Sequence, residues 1–414
     1  MRRPSLTRRE LLATSGALAA IAATGSPRML RAQDPVTYWH HFTSQSEMQG
    51  LATVEAMFAA QGGAVRSEGI PNADYMSKVT TANVAGGLPD TLMISTERFA
   101  DLAAQGAIVP LTDRLEGWPE RETFTASAWD AISQDGEIYG VPAFSFVNWA
   151  YYRKDWFEEA GIDPPDTFEE FREAAIRMTD PSKGRYGFGL RGGDGGQSFL
   201  LDVLDSYGAL NYADGKATLD TDKARQAMAF YSGLATEHGA VPPSAPNDSY
   251  RQIMEGFKTG QTAMIWHHTG SLVELTDALT PDQIATSIRP EGPEGRIARV
   301  AYLYNGASGQ GDPDASWAWI AEWAKPDAAI ALLEATGYFP ATSAVASDPR
   351  IVDNPIYAAA IETLSFGVPN PNIVGFQGWL KDVALIELQK LLVEQSTVED
   401  SVDVMARELD KAMR

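Results

Sequence analysis

The sequence predicts an α/β fold that is divided into two domains. Short apolar runs typical of strands alternate with helical patterns: residues 36–39 suit a strand, and residues 46–61 place apolar side chains at helical spacing. Such alternation is typical of a sheet covered by helices. The chain has 414 residues, and a single hydrophobic core stops growing beyond roughly 250–300 residues. Two domains are therefore expected.

The elements that follow continue this alternation. Residues 75–84 predict a second helix, residues 91–94 a buried strand, and residues 98–105 a helix that ends at Gly106. The beginning of the chain is thus expected to run strand, helix, helix, strand, helix. Later strands are predicted at residues 138–141, 149–152 and 262–266, and later helices at residues 168–178, 199–207, 221–237, 249–258, 315–335, 379–392 and 398–413.

The composition excludes several classes of protein. There is no cysteine, so disulfides, zinc–thiolate sites, iron–sulfur clusters, thiol nucleophiles and a lipid carried on cysteine are excluded. The formal net charge is −22; outside residues 1–32, which hold six Arg and one Glu, 27 of the 33 basic and 54 of the 55 acidic residues remain. So acidic a body repels nucleic acid and anionic membrane surfaces. We expect neither as a partner.

Residues 1–32 have the three-part layout of an export signal. A basic stretch containing Arg8-Arg9 is followed by a mildly apolar run over residues 11–25 and by a small-residue site that ends at Ala32. The core Thr-Arg-Arg-Glu-Leu-Leu resembles the twin-arginine signal. A membrane anchor would need about 20 strongly apolar residues. We therefore expect cleavage near Ala32 and export by the twin-arginine route as a soluble protein.

Six segments, in this order, resemble the extracellular solute-binding proteins of ABC importers. The likeness is to the sugar-binding, maltose-binding-protein-like branch, and the segments together span nearly the whole chain after residue 32. They are residues 38–42 (YWHHF), 75–78 with 85–92 (YMSK and AGGLPDTL), 136–142 with 151–157 (GEIYGVP and YYRKDWF), 160–161 with 164–168 (AG and PPDTF), 257–264 (FKTGQTAM) and 337–341 (GYFPA).

The resemblance implies two α/β lobes with the ligand in the cleft between them. The chain would cross between the lobes near residues 142–146, 302–305 and 365–372. These crossings give a signal peptide (1–32), a first lobe (33–143 plus 304–364) and a second lobe (144–303 plus 365–414). The resemblance further implies hinge closure on a carbohydrate, delivery to permease subunits in the inner membrane, a periplasmic monomer, and neither catalysis nor a cofactor.

Candidate ligand contacts follow the predicted strands, because ligands of open α/β sheets bind beyond the carboxyl ends of strands. The loop positions that meet this criterion are His41, Thr43, Ser44, Gln45, Ser95, Thr96, Glu97, Trp266, His268, Asn305 and Gly306. The first crossing adds Phe144 and Asn148, a glycine-rich loop adds Arg191 and Asp194, and the resemblance adds Phe376 and Trp379 near a stacking position.

These residue types suit a sugar, whose hydroxyls pair with acids, amides and Arg while an aromatic ring covers its C–H face. Micromolar affinity needs about 8 kcal/mol, and hydrogen bonds to charged groups supply roughly 1.5–3 kcal/mol each. Several candidates also have a structural alternative: Glu97 as a helix cap, and Trp266 and Trp379 as core residues.

Four alternatives stay open: three non-sugar ligands and one enzymatic activity. The pairs His40-His41 and His267-His268 suggest a metal. Neighbours on an extended chain point to opposite sides, so one pair cannot chelate, but one His from each pair together with Glu97 could hold a metal ion. Binding a polyol phosphate would need more positively charged side chains in the cleft than Arg98 and Arg191. Binding a polyamine would need more acidic side chains than the candidate residues include. An exported glycoside hydrolase remains a further alternative, because paired acids cannot be excluded from spacing.

Overall fold

The structure is a computed structural model that describes residues 34–364 and 366–414. The predicted export signal, residues 1–32, lies outside the described residues. Within the described ranges, none of the helices combines the length and the apolar character that a bilayer crossing needs.

The strands and helices alternate along the chain. The strands are β1 Val36–His40, β2 Val65–Gly69, β3 Thr91–Ser95, β4 Ser133–Gln134, β5 Glu137–Ile138, β6 Val141–Arg153, β7 Tyr186–Gly189, β8 Leu210–Ala213, β9 Lys216–Leu219, β10 Thr262–His268, β11 Ile284–Ser287 and β12 Val300–Ala307. The helices are α1 Gln45–Ala60, α2 Asn72–Ala85, α3 Thr96–Ala104, α4 Thr112–Leu115, α5 Ala126–Asp130, α6 Lys154–Ala160, α7 Phe168–Arg177, α8 Gln197–Ser206, α9 Thr221–Thr236, α10 Tyr250–Lys258, α11 Leu272–Ala278, α12 Pro313–Trp323, α13 Pro326–Thr336, α14 Pro349–Val352, α15 Ala358–Leu364, α16 Phe376–Trp379, α17 Leu385–Leu392 and α18 Val398–Ala412, with a π-helical turn at Leu380–Ala384.

Strand β6 belongs to two sheets and joins two lobes. Its first half pairs with β12 in the order β2-β1-β3-β12-β6, in which β1 is parallel to β2 and β3. Its second half lies between β10 and β11, and β10 continues to β7. Thirteen residues allow one strand to serve both sheets. The predicted α/β class is confirmed. The strand expected at residues 149–152 lies inside β6, whereas of residues 138–141 only Ile138, in β5, and Val141, in β6, are in strands.

Three passages of the chain join the lobes. Besides β6, the residue before β12, Arg299, pairs with Val368, and the amide of Val300 donates to the Val368 carbonyl. The three crossings expected from the resemblance therefore lie side by side. The predicted lobe boundaries stay a prediction. Residues 358–364, assigned to the first lobe, pack against β6 and β11.

The second strand of the chain was not predicted. β2 has the sequence Val-Arg-Ser-Glu-Gly and is largely exposed, because it is an edge strand that pairs only with β1. Its polar side chains carry no apolar run, which is the signal that periodicity detects. The order at the start is therefore strand, helix, strand, helix, strand, helix.

Capping groups and prolines set the helix ends. Thr167 and Glu170 form a reciprocal capping box at the start of α7, and Ser249 with Gln252 does the same for α10. The pattern expected over residues 315–335 is two helices, because Pro326 occupies the first turn of α13.

An aromatic core holds α12 against the first sheet. Trp319 is fully buried and meets the ring of Tyr38 edge-on at 5.5 Å, and Trp323 packs against Phe42. Such pairs contribute roughly 0.5–1.5 kcal/mol beyond their burial. This packing fixes β1, and with it the loop that follows β1.

Candidate functional site

A cavity of about 450 Å³ lies between the lobes. Its walls come from the ends of β1 and β3, from the crossings, and from the starts of α8 and α16. The lining residues are His41, Glu47, Asn72, Ser95, Glu97, Phe146, Gly195, Gln197, Ser198, Ala301, Tyr302, Leu303, Tyr338, Asn370, Gln377 and Leu380.

The wall from the first lobe carries three of the predicted residues. His41 follows β1, Ser95 ends β3 and Glu97 lies in the first turn of α3, and parallel pairing places these strand ends at one sheet edge. Ser95 is 7% exposed, and its Oγ has no hydrogen-bond partner among the described residues. Burial, with a smaller contribution from the nearby Arg98 charge, lowers the pKa of His41 to about 4. At neutral pH His41 is therefore uncharged.

The same wall contains Asn72, which the sequence prediction did not include. The Arg98 guanidinium donates to the Asn72 carbonyl at 3.0 Å and to its Oδ1 at 2.5 Å, and it lies over the ring of Tyr75. These contacts orient the Asn72 amide at the cavity. The position of the start of α2 relative to the cavity depends on tertiary packing, which no local sequence pattern reveals.

The floor of the cavity is aromatic. Tyr338 stacks on Phe144 with ring centres 4.7 Å apart, and Phe146 meets Tyr338 edge-on at 4.7 Å. Phe144 itself is buried beneath this layer, whereas Phe146 and Tyr338 line the cavity. The predicted Phe144 therefore supports the floor through Tyr338. Phe146 and Tyr338 were absent from the predicted set, although both lie in segments that carry the family resemblance or a predicted crossing.

Glu47 ties this floor to α1. Its Oε2 accepts the amide hydrogens of Thr43 and Ser44 at 2.9 and 2.8 Å, and its Oε1 accepts the Tyr338 hydroxyl. Burial and the Glu47 charge raise the pKa of Tyr338 well above its usual value. The phenol is therefore a permanent donor to Glu47.

The predicted residues Thr43, Ser44 and Gln45 build the start of α1 and do not line the cavity. All three are exposed, and the Ser44 hydroxyl accepts the amide of Glu47 in a capping box. Thr96 is buried at the start of α3, and its hydroxyl lies 3.4 Å from the Tyr302 carbonyl. Ser95, not Glu97, is the N-cap residue of α3, so Glu97 does not serve as the cap.

The predicted tryptophans lie in the core of the second lobe. Trp266 is 2% exposed, stacks parallel to Tyr231, and has the Arg289 guanidinium 3.7 Å from its ring centre. Trp379 donates its Nε1–H to the Met405 carbonyl at 2.9 Å, and Phe376 packs beside it. None of these three rings lines the cavity.

Helical spacing explains which residues of α16 reach the cavity instead. Phe376 and Trp379 are three positions apart and share the face that is buried in the core. Gln377 and Leu380 share the adjacent face and line the cavity. The Gln377 Nε2 has no partner among the described residues, and neither has the Gln197 Oε1 on α8.

The remaining predicted residues surround the cavity without lining it. The Asn305 Oδ1 accepts the Tyr38 hydroxyl at 2.8 Å inside the first lobe, and Gly306 is packed against Ile94. The His268 ring contacts Phe146 at 5.0 Å, and burial lowers the His268 pKa to about 3. Arg191 and Asp194 of the glycine-rich loop do not line the cavity either, and the Arg191 Nε donates to the Asp194 carbonyl at 2.8 Å.

Asn148 belongs to a buried ionic cluster beside the crossings. Its side chain lies beside the Asp202 carboxylate. The Asp202 Oδ2 accepts from Arg289 at 2.9 Å, and the Oδ1 lies 3.3 Å from the Arg299 Nε. Arg299 donates to the Pro369 carbonyl at 2.8 Å. The cluster thus connects all three crossings to α8. No local sequence pattern predicts this cluster, because its members are far apart in the chain: Asn148, Asp202, Arg289, Arg299 and Pro369.

The histidine pairs do not form a metal site in the described part of the chain. His40 is buried and its Nδ1 accepts the Phe42 amide at 3.1 Å, while His41 faces the cavity. His267 contacts the Ser271 hydroxyl at 2.7 Å. Across residues 34–364 and 366–414, no three His, Asp or Glu side chains are placed to hold a metal ion together.

Known proteins share both sequence and fold with this chain. The family model of the bacterial extracellular solute-binding proteins matches residues 42–330. The mannitol-binding protein of Pseudomonas aeruginosa is 28% identical over 187 residues, which cover 44% of this chain and 42% of that protein. The maltotriose-binding protein of Pyrococcus abyssi is 22% identical over 331 residues, covering 78% of this chain and 69% of that one. The alignments span 59% of the length of the first curated relatives.

A solved structure shows the same arrangement of lobes. The ABC transporter solute-binding protein of Thermotoga lettingae TMO, bound with alpha-D-tagatose, superposes with a TM-score of 0.80 at 20% identity and covers 92% of this chain and 100% of that chain. The two-lobed architecture and the family resemblance of the sequence are confirmed. Since the family model matches more than half of the chain, the protein belongs to the bacterial extracellular solute-binding protein family.

Proposed function

We propose that this chain is the periplasmic substrate-binding component of an ABC importer, which captures a carbohydrate in the cavity between the lobes and delivers it to the membrane permease. One observation carries the proposal. The cavity brings polar side chains of both lobes together, and four of them have a buried polar atom without a partner among the described residues: the His41 Nδ1, Ser95 Oγ, Gln197 Oε1 and Gln377 Nε2.

Buried polar atoms are almost always hydrogen-bonded, so four unpartnered ones around one cavity indicate that a polar ligand completes them. A carbohydrate has the matching chemistry, because each hydroxyl both donates and accepts. Phe146 and Tyr338 would cover its C–H face, and Glu97 and Asn72 would accept from its hydroxyls. The volume of about 450 Å³ falls in the range of small-molecule sites, roughly 300–1,000 Å³.

The named relatives support a carbohydrate. Two of them bind mannitol and maltotriose by name, and the Thermotoga protein was solved with a sugar. Because these ligands differ in size, they support the class of ligand and not one compound. We further propose a monomer without enzymatic activity or cofactor, with export by the twin-arginine route through residues 1–32.

Closure of the lobes would make the bound form recognisable to the permease. A ligand that contacts both walls binds the closed state more tightly and shifts the population toward it. His41 and Ser95 contribute from one wall, and Gln197 and Gln377 from the other. The three crossings beside the Asp202 cluster would bend.

A ligand panel tests the proposal. The mature chain is screened by thermal shift, then by calorimetry, with neutral sugars, polyols, sugar acids, polyamines and divalent metals, and each oligosaccharide is checked for turnover. A ligand at a hundredfold excess over its Kd stabilises the fold by about 2.7 kcal/mol. We expect one or more carbohydrates to raise the Tm without being consumed. A shift with polyamines or metals alone, or hydrolysis of an oligosaccharide, contradicts the proposal.

A further inference from the structure

The two walls of the cavity between the lobes carry groups of opposite polarity. The second-lobe wall holds positively polarised groups, and the first-lobe wall holds carboxylates. Helix α8, of ten residues, begins at the cavity, and Gly195, Gln197 and Ser198 line it. Its N-cap residue is Gly196, which has no side chain to accept the first amide hydrogens. Caps on most helices satisfy these groups. Here the amides of Gly195, Gln197 and Ser198 have no acceptor within the described part of the chain.

A guanidinium lies at the same place. Arg191 packs on the backbone of Gly195 so closely that a Cβ at that position would collide with it, and Gly195 has a φ of 86°. The Arg191 Nε donates to the Asp194 carbonyl at 2.8 Å. The Asp194 carboxylate turns away to Lys381, at 3.1 Å. No described carboxylate therefore forms an ion pair with Arg191.

On the opposite wall, one buried hydroxyl also has no hydrogen-bond partner among the described residues. Ser95, which is 7% exposed and lines the cavity, leaves its Oγ without a partner among the described residues. Glu47 and Glu97 are the lining carboxylates, and both lie on the first-lobe side. Glu47 is already bonded by two backbone amides and Tyr338. One wall thus offers acceptors for hydroxyls, and the other offers amide donors, the positive end of a helix and an unpaired guanidinium.

We propose that the ligand is a sugar acid, whose carboxylate binds at the start of α8 beside Arg191 and whose hydroxyls face Ser95 and Glu97. This inference rests on the proposed function and narrows its ligand class. Helix N-termini with free amides bind anions, and the macrodipole adds to the attraction. Arginine pairs well with the planar carboxylate. A single guanidinium opposite two glutamates suits one negative charge better than the two of a phosphate.

Matched ligand pairs test the inference by calorimetry at low salt. The pairs are glucose with glucuronate, galactose with galacturonate, glucitol with gluconate and lactose with lactobionate, and glucose 6-phosphate is the phosphate probe. We expect the tightest ligand to be an acid that binds at least tenfold more tightly than its neutral partner. Neutral partners that bind as tightly, or a phosphate that binds most tightly, overturn the inference and leave the proposed function standing. If nothing in the panel binds, both fail.

Variants show whether the α8 wall causes the preference. Arg191→Gln is expected to lower the acid-to-neutral affinity ratio at least fivefold, and an equal loss for both partners would show a merely structural role. Gln197→Glu adds a charge that helix starts tolerate well and should lower the same ratio, which covers the case that Arg191→Gln fails to fold. Lys216→Gln is the matched control, since Lys216 is exposed, does not line the cavity, and should leave the ratio within twofold.

Discussion

The Tyr338 hydroxyl donates a hydrogen bond to the Glu47 carboxylate and so joins the segment after α13 to the start of α1 beneath the cavity. Glu47 simultaneously accepts two amides of the α1 capping box. The aromatic floor and the loop that carries His41 are therefore held by one carboxylate. The shape of the cavity therefore depends on the hydrogen bond between Tyr338 and Glu47, which is lost when the Tyr338 hydroxyl is removed.

Tyr338→Phe should destabilise the protein by about 1.5–3 kcal/mol, the range for hydrogen bonds to charged groups. The ring stays and its stacking on Phe144 with it, so binding should weaken less than in Tyr338→Ala. Urea unfolding measures the first effect and calorimetry the second. The control is Tyr139→Phe, whose half-buried phenol has no hydrogen-bond partner in the described ranges and should change stability by less than about 0.5 kcal/mol. Equal losses in the two variants would contradict this account of Glu47.

Trp379→Ala should act on stability, because Trp379 is a core residue bonded to the Met405 carbonyl. Replacing a buried tryptophan by alanine costs about 3–5 kcal/mol. Its neighbour Gln377 lines the cavity, and Gln377→Ala should keep the wild-type Tm while weakening ligand binding about fivefold, or roughly 1 kcal/mol. A Trp379→Ala protein that unfolds normally but no longer binds would place the ring at the ligand instead.

Arg299→Met should be strongly destabilising, because it leaves the buried Asp202 and the partly buried Asp205 with one remaining guanidinium, that of Arg289. Breaking a buried pair in this way costs about 3–5 kcal/mol. An exposed pair serves as control: Arg225 lies 2.9 Å from Asp403, and Arg225→Met should cost about 0–1 kcal/mol. Similar midpoints in urea for the two variants would show that the Asp202 cluster does not hold the crossings.

Stability should fall as the pH falls from 6.5 to 4, and His41 should cause part of the fall. Its pKa is about 4 in the folded protein against 6.5 for the free side chain, so the unfolded chain binds the proton first. A depressed histidine pKa stabilises the unfolded state below pH 6.5, and the slope corresponds to up to one proton. His41→Gln should show a shallower decline over this window and match the wild-type decline between pH 7 and 8. Parallel curves over the whole range would contradict the burial of His41.

The residues found from sequence and those missed differ in a physical way. His41, Ser95 and Glu97 follow predicted strands, and the geometry of parallel strands alone brings such ends together. Tyr338, Asn72 and the two glutamines reach the cavity because other elements pack around them, and no local periodicity encodes that packing.

Aromatic residues were misplaced for a related reason. The residue type alone does not tell whether a tryptophan stacks on a ligand or packs in the core. The side of the helix on which the tryptophan lies determines which of the two it does. In α16 the buried face holds Phe376 and Trp379, while Gln377 turns to the cavity.

The edge strand β2 was not predicted because its exposed side chains lack an apolar run. Fold class and lobe architecture were accessible, since they depend on patterns summed over many elements.

Binding of a carbohydrate between the lobes is tested most directly by calorimetric titration of the mature chain and of Gln197→Trp. Gln197 lines the cavity without belonging to the core, so an indole there should fill the site and leave folding intact. The account predicts one-to-one binding of at least one carbohydrate by the wild type and no measurable heat with the variant at an unchanged Tm. Absence of binding by the wild type across the whole carbohydrate panel, or undiminished binding by Gln197→Trp, would contradict it.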